Sequence, residues 1–228
     1  MRAPRSRFYD GLLYGRLMDP LLAGLHGFVA EQVDAGMTVL DVGCGTGDLA
    51  FRMASDAREV VGVELSPKMV AFANQRLTRQ PQENLSFVLG DITTALADVA
   101  DHHFDIATMV MMVHEMPADA RGPVMREAAR VAKKVLCVDF RVPMPWSITG
   151  VRNRFFEAIA GPEHFSAYRD FTRRGGIAAI ADSAELGYAH IRYIDSATLE
   201  VAEIRGSANV SERLSSLASM SSVGDQVS

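Results

Sequence analysis

A chain of 228 residues, 48% hydrophobic and 22% charged, can bury one sizeable core and has the balance of an ordinary globular domain. Its formal net charge of -5 gives no general support for nucleic-acid binding. The two cysteines, Cys44 and Cys137, fall in or beside predicted strands, which argues against a disulfide framework and for a reducing, cytoplasmic setting.

The opening MRAPRSRFYDG is basic but is not followed by the apolar core of a secretory signal, so none is expected. No run reaches the roughly 18 to 20 apolar residues of a membrane-spanning helix. From Leu12 to Val33, Leu and Val recur at helical spacing with an interruption at Asp19-Pro20, which predicts two short helices or one broken helix. TVLDVG, from Thr38 to Gly43, then reads as a buried strand, and GDLAFRMAS as the helix behind it. EVVGVEL is a second strand, and SPKMVAFANQRL a second helix with Ser66 as N-cap and Pro67 at the first helical position. LSFVLGD, FDIATMVM and KVLCVDF are three further strands, with a helix in PADARGPVMREAARVA before the last. Near the end, GYAHIRYID and SATLEVAEIR alternate and are joined by a very short link, which predicts an antiparallel hairpin.

Apolar strands separated by helices indicate an α/β fold, a doubly wound, Rossmann-like sheet that is mostly parallel, with seven strands, helices on both faces and the hairpin at its end. The expected organisation is a helical N-terminal cap over residues 1–36, a main domain over 37–206, and a Ser-rich, mobile tail over 207–228. Within the main domain, residues 141–187 stand outside the alternation and form the expected specificity insert.

Ligands of an open α/β sheet sit beyond the carboxyl ends of its strands, where the strand order reverses. Gly43, Gly45 and Gly47 follow the first strand, and glycines there let a backbone approach a ligand while the next helix offers unpaired N–H groups. Glu64 ends the second strand, about where a dinucleotide fold places the acid that accepts from ribose hydroxyls. Asp91 closes the third strand at the same edge and can accept from an adenine amino group, with Ile92 donating from its backbone. Asp41 lies inside an apolar strand, where an unpaired charge is costly, and holds either the glycine turn or an ammonium group.

The succession VLDVGCGTGDLA, VVGVELSPKMV, GDI, FDIATMVMMVHEM and VLCVDF, over residues 38–140, resembles the class I S-adenosylmethionine-dependent methyltransferase family. Glycines two apart after a strand-borne Asp differ from the GxGxxG of nicotinamide-binding folds, and the terminal hairpin is that family's sheet ending too. The resemblance implies S-adenosylmethionine as cofactor and S-adenosylhomocysteine as product. Its methionine part would lie over Asp41 to Gly47, including Gly43, Cys44 and Gly45, its ribose on Glu64, and its adenine near Leu65, Met69, Asp91 and Ile92. The sulfonium would lie close to Val110. FYDGLLYG resembles the segment that folds over the cofactor in small-molecule members, which implicates Tyr9 or Tyr14.

Methyl transfer from a sulfonium has an excellent leaving group, so alignment is the main task and a base is needed only to remove an acceptor proton. His114 and Glu115, after the fourth strand, are the candidate catalytic residues, because a histidine beside a carboxylate can act as a general base; alternatively, His114 packs beneath the next helix. His102 and His103 lie in a loop at the far end of that strand, and no metal is expected. MVMMVHEMP lacks the Asn/Asp-Pro-Pro-aromatic turn of nucleobase-amine enzymes, so the expected partner is a small molecule and not nucleic acid. Trp146, Arg152, Phe156 and Tyr168 in the insert are the candidate acceptor-binding residues. An aromatic wall with arginines suits an apolar acceptor carrying an anionic or phenolic group, as in quinone-ring and phospholipid-headgroup methyltransferases, and equally an anionic lipid surface. Two alternatives stand beside methyl transfer to a small molecule: a non-catalytic S-adenosylmethionine-binding or partner protein, and a nicotinamide-dependent oxidoreductase.

Overall fold

Strands that are apolar along their whole length must be covered on both faces, and the chain meets that demand with one seven-stranded sheet flanked by helices. The computed structural model describes residues 11–159 and 161–206, save the side chains of residues 11–17, 156, 158 and 159. The strands are β1 (Thr38–Val42), β2 (Glu59–Glu64), β3 (Leu85–Leu89), β4 (Ile106–Val110), β5 (Val135–Phe140), β6 (Gly187–Ile194) and β7 (Leu199–Arg205). Their order in the sheet is β3-β2-β1-β4-β5-β7-β6. The first five are parallel, and the hairpin β6–β7 adds antiparallel to β5 through β7. The expected doubly wound fold and its terminal hairpin are therefore present.

The helices are α1 (Gly11–Ala30), α2 (Asp48–Met53), α3 (Pro67–Arg79), α4 (Ile92–Ala95) and α5 (Ala118–Val131), followed by α6 (Ile148–Ile159), α7 (Pro162–Arg173) and α8 (Gly176–Ser183) in the insert. A short 3-10 turn spans Val113–Glu115. Ser66 caps α3 by accepting from the Met69 N–H, with Pro67 at N1 as expected. The expected break at Pro20 does not occur, and α1 runs through it. The proline removes one intrahelical hydrogen bond. Two tertiary ties offset that loss: Asp19 accepts from the Thr46 hydroxyl at 2.8 and 2.9 Å, and His26 Nδ1 lies 2.9 Å from the Asp48 carboxylate. The Ser-rich tail at 207–228 and Tyr9 lie outside the described residues.

The core runs the length of the sheet, with Val39, Leu40, Val60, Ile106, Met109, Val135 and Cys137 buried in the strands and Met53, Met125 and Ala128 in the helices above them. Two glycines permit the tightest contacts. A Cβ on Gly62 would lie 2.8 Å from both Cys44 Sγ and the Phe87 ring. At Gly47, where φ is +80°, a Cβ would come 2.6 Å from Phe87 Cζ. Gly47→Ala therefore combines a left-handed backbone with a clash, and we expect urea denaturation to show a loss on the order of 1–3 kcal/mol. An unchanged midpoint would contradict the packing role.

Candidate active site

At the end of β1 the chain enters a turn in which Gly43 and Gly45 have φ of 70° and 54°, a conformation that L side chains rarely adopt. Nothing stands within 4 Å of where a Cβ on Gly45 would lie, so the backbone there faces open space. The Glu64 carboxylate, at the end of β2, accepts from the Gly45 N–H at 3.1 Å and from the Ser66 N–H at 2.7 Å. Burial raises its pKa, and those two backbone donors oppose the rise.

One strand further in, Asp41 is paired in register with Thr108 of β4, whose hydroxyl donates to Asp41 Oδ1 at 2.8 Å. The other oxygen, Oδ2, is buried without a hydrogen-bond partner among the described residues. Burial is the main reason that its pKa rises to about 7. Asp41 borders a small recess of about 40 Å³ shared with Asp19 and His26 of α1 and with Cys44, Thr46 and Asp48. A charge-assisted donor, such as an ammonium, is the group that this orphaned oxygen lacks.

Beside the recess, a cavity of about 1090 Å³ opens over the carboxyl ends of the strands. It brings together Gly43, Gly45, Glu64, Leu65, Met69, Asp91, Ile92 and Val110, eight of the residues that the resemblance to methyltransferases assigned to the cofactor. Gly47 is not among its lining residues; its missing side chain makes room for Phe87 instead. Cys44 is buried with its Sγ packed towards Gly62, and it borders the recess beside Asp41 rather than the large cavity. Tyr14 lies on α1, but its side chain is outside the described residues.

The far wall of the cavity comes from the 3-10 turn, the start of α5, and α7: Glu115, Met116, Pro117, Arg121, His164 and Asp170 are there, with Met111 and Met112 at the boundary. Asp139, fully buried on β5, holds this wall. It accepts from the Val113 and His114 backbone N–H groups at 2.9 and 3.1 Å and lies 2.7 Å from His114 Nδ1. From the other side, Arg121 donates to the Val113 carbonyl, to the Ala167 carbonyl and to Asp170, tying the turn to α7.

These contacts revise the sequence-based assignments. His114 is 2% exposed and absent from the cavity lining. Burial alone would lower its pKa, but the adjacent Asp139 carboxylate, with Glu157 and Glu115 beyond, outweighs burial and raises it to about 9. Favoured in its protonated form and absent from the lining, it is poorly placed for general-base work. Glu115 does line the cavity. None of the expected acceptor residues whose side chains are described is in the lining: Trp146 is 87% exposed under the Arg154 guanidinium, and Arg152 is on the surface near Asp195. Tyr168 is buried, packing on Phe140 and against Met144. The Phe156 side chain lies outside the described residues. Sequence reasoning passed over Arg121, His164 and Asp170. Only a charged residue at a buried helix position hints at Arg121, and nothing local links PEHF to VHEMP.

With this geometry in view, comparisons with known proteins are informative. A family profile described as a methyltransferase domain matches residues 39–135. A 2-phytyl-1,4-naphtoquinone methyltransferase from Nostoc sp. is 30% identical over 163 residues, 66% of this chain and 69% of that protein. A ubiquinone biosynthesis O-methyltransferase from Albidiferax ferrireducens is 30% identical over 170 residues, covering 69% of this chain and 63% of its own length. Among solved structures, a SAM-dependent methyltransferase from Aquifex aeolicus superposes with a TM-score of 0.62 at 18% identity, over 86% of this chain and 98% of that one.

The orphaned Asp41 has a thermodynamic signature. Its folded pKa, about 7, exceeds the ordinary 3.8, so the folded state holds the proton more tightly and loses stability as pH rises from about 4 through 7. Asp41→Asn keeps an acceptor for Thr108 and removes that charge. The variant, without ligand, should be about 1–3 kcal/mol more stable than wild type near pH 8 and should lose the slope between those pH values. Chemical denaturation across pH tests this, and an equal slope in both proteins would refute it.

Proposed function

This chain belongs to the class I S-adenosylmethionine-dependent methyltransferase family and is an enzyme using that methyl donor, and we propose that its acceptor is a small molecule with a flat apolar ring carrying a hydroxyl group. The observation that carries the proposal is the two-part cavity. A glycine and carboxylate cradle on one side is continuous with a wall of Met111, Met112, Met116 and Pro117 that ends in Glu115, Arg121 and His164. Methionines adapt to flat apolar groups, and the polar end gives a hydroxyl its partners. The quinone-related names of the relatives above support the same acceptor class.

The cradle suits the donor chemically. Asp41 Oδ2 supplies a buried acceptor for an ammonium, Glu64 supplies two carboxylate oxygens for a ribose diol, and Gly45 leaves its backbone uncovered. Bound there, S-adenosylmethionine supplies an electrophilic methyl group on a good leaving sulfur. The chain's own residues do the rest. Asp41 and Glu64 orient the donor, the methionine wall excludes water from the acceptor ring, and Glu115 takes the hydroxyl proton. His114, pinned by Asp139, acts as a positioning residue that keeps Glu115 in the wall. Helix α1 acts as a cap on the methionine end, a role supported by Asp19 and His26 in the recess.

Calorimetric titration tests the donor site. Wild type should bind S-adenosylmethionine and S-adenosylhomocysteine but not NAD. Glu64→Ala should raise the Kd of both adenosyl ligands roughly 10- to 100-fold with an unchanged circular dichroism spectrum. Label from methyl-tritiated donor should pass to a substituted hydroquinone; transfer to RNA instead, with none to any ring hydroxyl, would sink the acceptor assignment.

No helix among the described residues is long and apolar enough to cross a membrane. We further propose that α6 meets a lipid surface where an apolar acceptor would reside. Trp146 and Ile148 are 87% and 92% exposed, Val151 and Phe155 continue the same face, and Arg152 flanks it. The protein should float with vesicles containing phosphatidylglycerol in a salt-sensitive way, and Trp146→Ala with Ile148→Ala should lower the bound fraction several-fold. Equal flotation of both proteins would rule this face out.

A further inference from the structure

We propose that His114, Glu115, Glu157 and His164 form a binding site for one divalent transition-metal ion at the acceptor end of the cavity. The four residues come from three elements. His114 and Glu115 are on the 3-10 turn, Glu157 is on α6 and His164 is near the start of α7. One ligand atom each from His114, Glu115 and His164 lies within 4.8 Å of the others. His114 Nε2 is 3.8 Å from Glu115 Oε1 and 3.7 Å from Glu157 Oε2, and His164 Nε2 is 3.9 Å from Glu115 Oε1. An ion with nitrogen and oxygen ligands at about 2.0–2.2 Å in a tetrahedron separates those ligands by about 3.3–3.6 Å. Three of the six ligand–ligand distances are thus within a few tenths of an ångström of a coordination shell. Another, between His164 Nε2 and Glu157 Oε2, is a 2.7 Å hydrogen bond that must open by less than about 1 Å for Glu157 to complete the three-residue group as a fourth ligand.

The surroundings are those of a metal site more than of a surface ion pair. His114 engages Asp139 through Nδ1, which fixes its ring and turns Nε2 towards the other three residues; binding the ion displaces the proton from Nε2 to solvent. A ligating histidine typically has its second ring nitrogen held by a carboxylate in this way. The His164 ring meets the His114 ring edge to face with centroids 5.7 Å apart, so both imidazoles are fixed before any ion arrives. The side chains of His114, Glu157 and His164 are 2%, 10% and 11% exposed. Two imidazoles and two carboxylates without a thiolate suit zinc, iron, cobalt or manganese better than magnesium, which prefers oxygen ligands and water. Glu115 and His164 also line the cavity, so a coordination position can face the acceptor. There an ion would bind the acceptor oxygen and make its proton easier to remove; this use of the metal rests on the methyltransferase reading above, whereas the binding itself does not.

The experiment uses the full-length untagged chain, stripped with a chelator and desalted. Incubation with zinc and gel filtration should leave about one equivalent bound by elemental analysis, and cobalt should give the visible absorption of a four- or five-coordinate ion. Zinc should raise the Tm of wild type. His164→Ala and Glu157→Gln should each weaken zinc binding at least tenfold, and the double variant should show neither the Tm rise nor the cobalt band while keeping a native circular dichroism spectrum. The conservative His164→Gln, should the alanine variant misfold, removes the same nitrogen. Failure of wild type to retain zinc, or equal retention by the double variant, overturns the site. Calorimetry with S-adenosylmethionine on the same samples reads the donor site separately, so loss of one result leaves the other standing.

Discussion

The position of β1 between β2 and β4 governs where everything else can act. From β1 the chain crosses outward to β2 and β3, then returns to place β4 on the other side. The connecting helices leave on opposite faces, and neither fills the gap above the carboxyl ends of β1 and β4. The glycine turn after β1, Glu64 at the end of β2, Asp91 after β3 and the 3-10 turn after β4 all open into that one gap. That these segments share one cavity is a consequence of strand order.

Buried charge is distributed unevenly, and the unevenness marks the site. Several deep charges are matched within the fold. Asp48 is held below the ordinary carboxylate range by His26, Arg52 and Arg76 against the effect of burial. Arg121 is matched by Asp170 and two backbone carbonyls. In the cradle, by contrast, burial raises the pKa of both Asp41 and Glu64, and Asp41 keeps one oxygen without a donor. A fold that can satisfy its interior charges elsewhere leaves these two waiting for a cationic, hydroxyl-rich ligand.

The glycine and carboxylate side of the cavity was largely legible because its residues are close in sequence and lie at or near strand ends. VLDVGCGTG puts Asp41, Gly43 and Gly45 within five positions, and Glu64 follows after one helix and one strand. Periodicity tells where strands stop, and stopping points are what face the crevice. Gly47 shares that motif yet serves packing, because Phe87, on a neighbouring strand, decides what space remains. Pro20 misled for a similar reason: its local cost was visible, whereas the tertiary ties through Asp19 and His26 were not.

The acceptor side was not legible. Aromatic and arginine content made Trp146, Arg152, Phe156 and Tyr168 attractive, but composition does not say which face of a helix meets a cavity, and three of these have described side chains that stay outside it. His164, Arg121 and Asp170 are separated from VHEMP by up to about 50 positions and converge only through packing of α7 on the 3-10 turn. Arg141, two positions from Asp139, stacks on Tyr193, and Asp139 is engaged by His114. By itself the sequence determined the sheet, the strand ends and the glycine turn at the cavity, since hydrophobic period and glycine placement act over a few residues. Only the tertiary structure decided the protonation of His114 and the make-up of the acceptor wall, since both depend on desolvation and charge brought together across the fold.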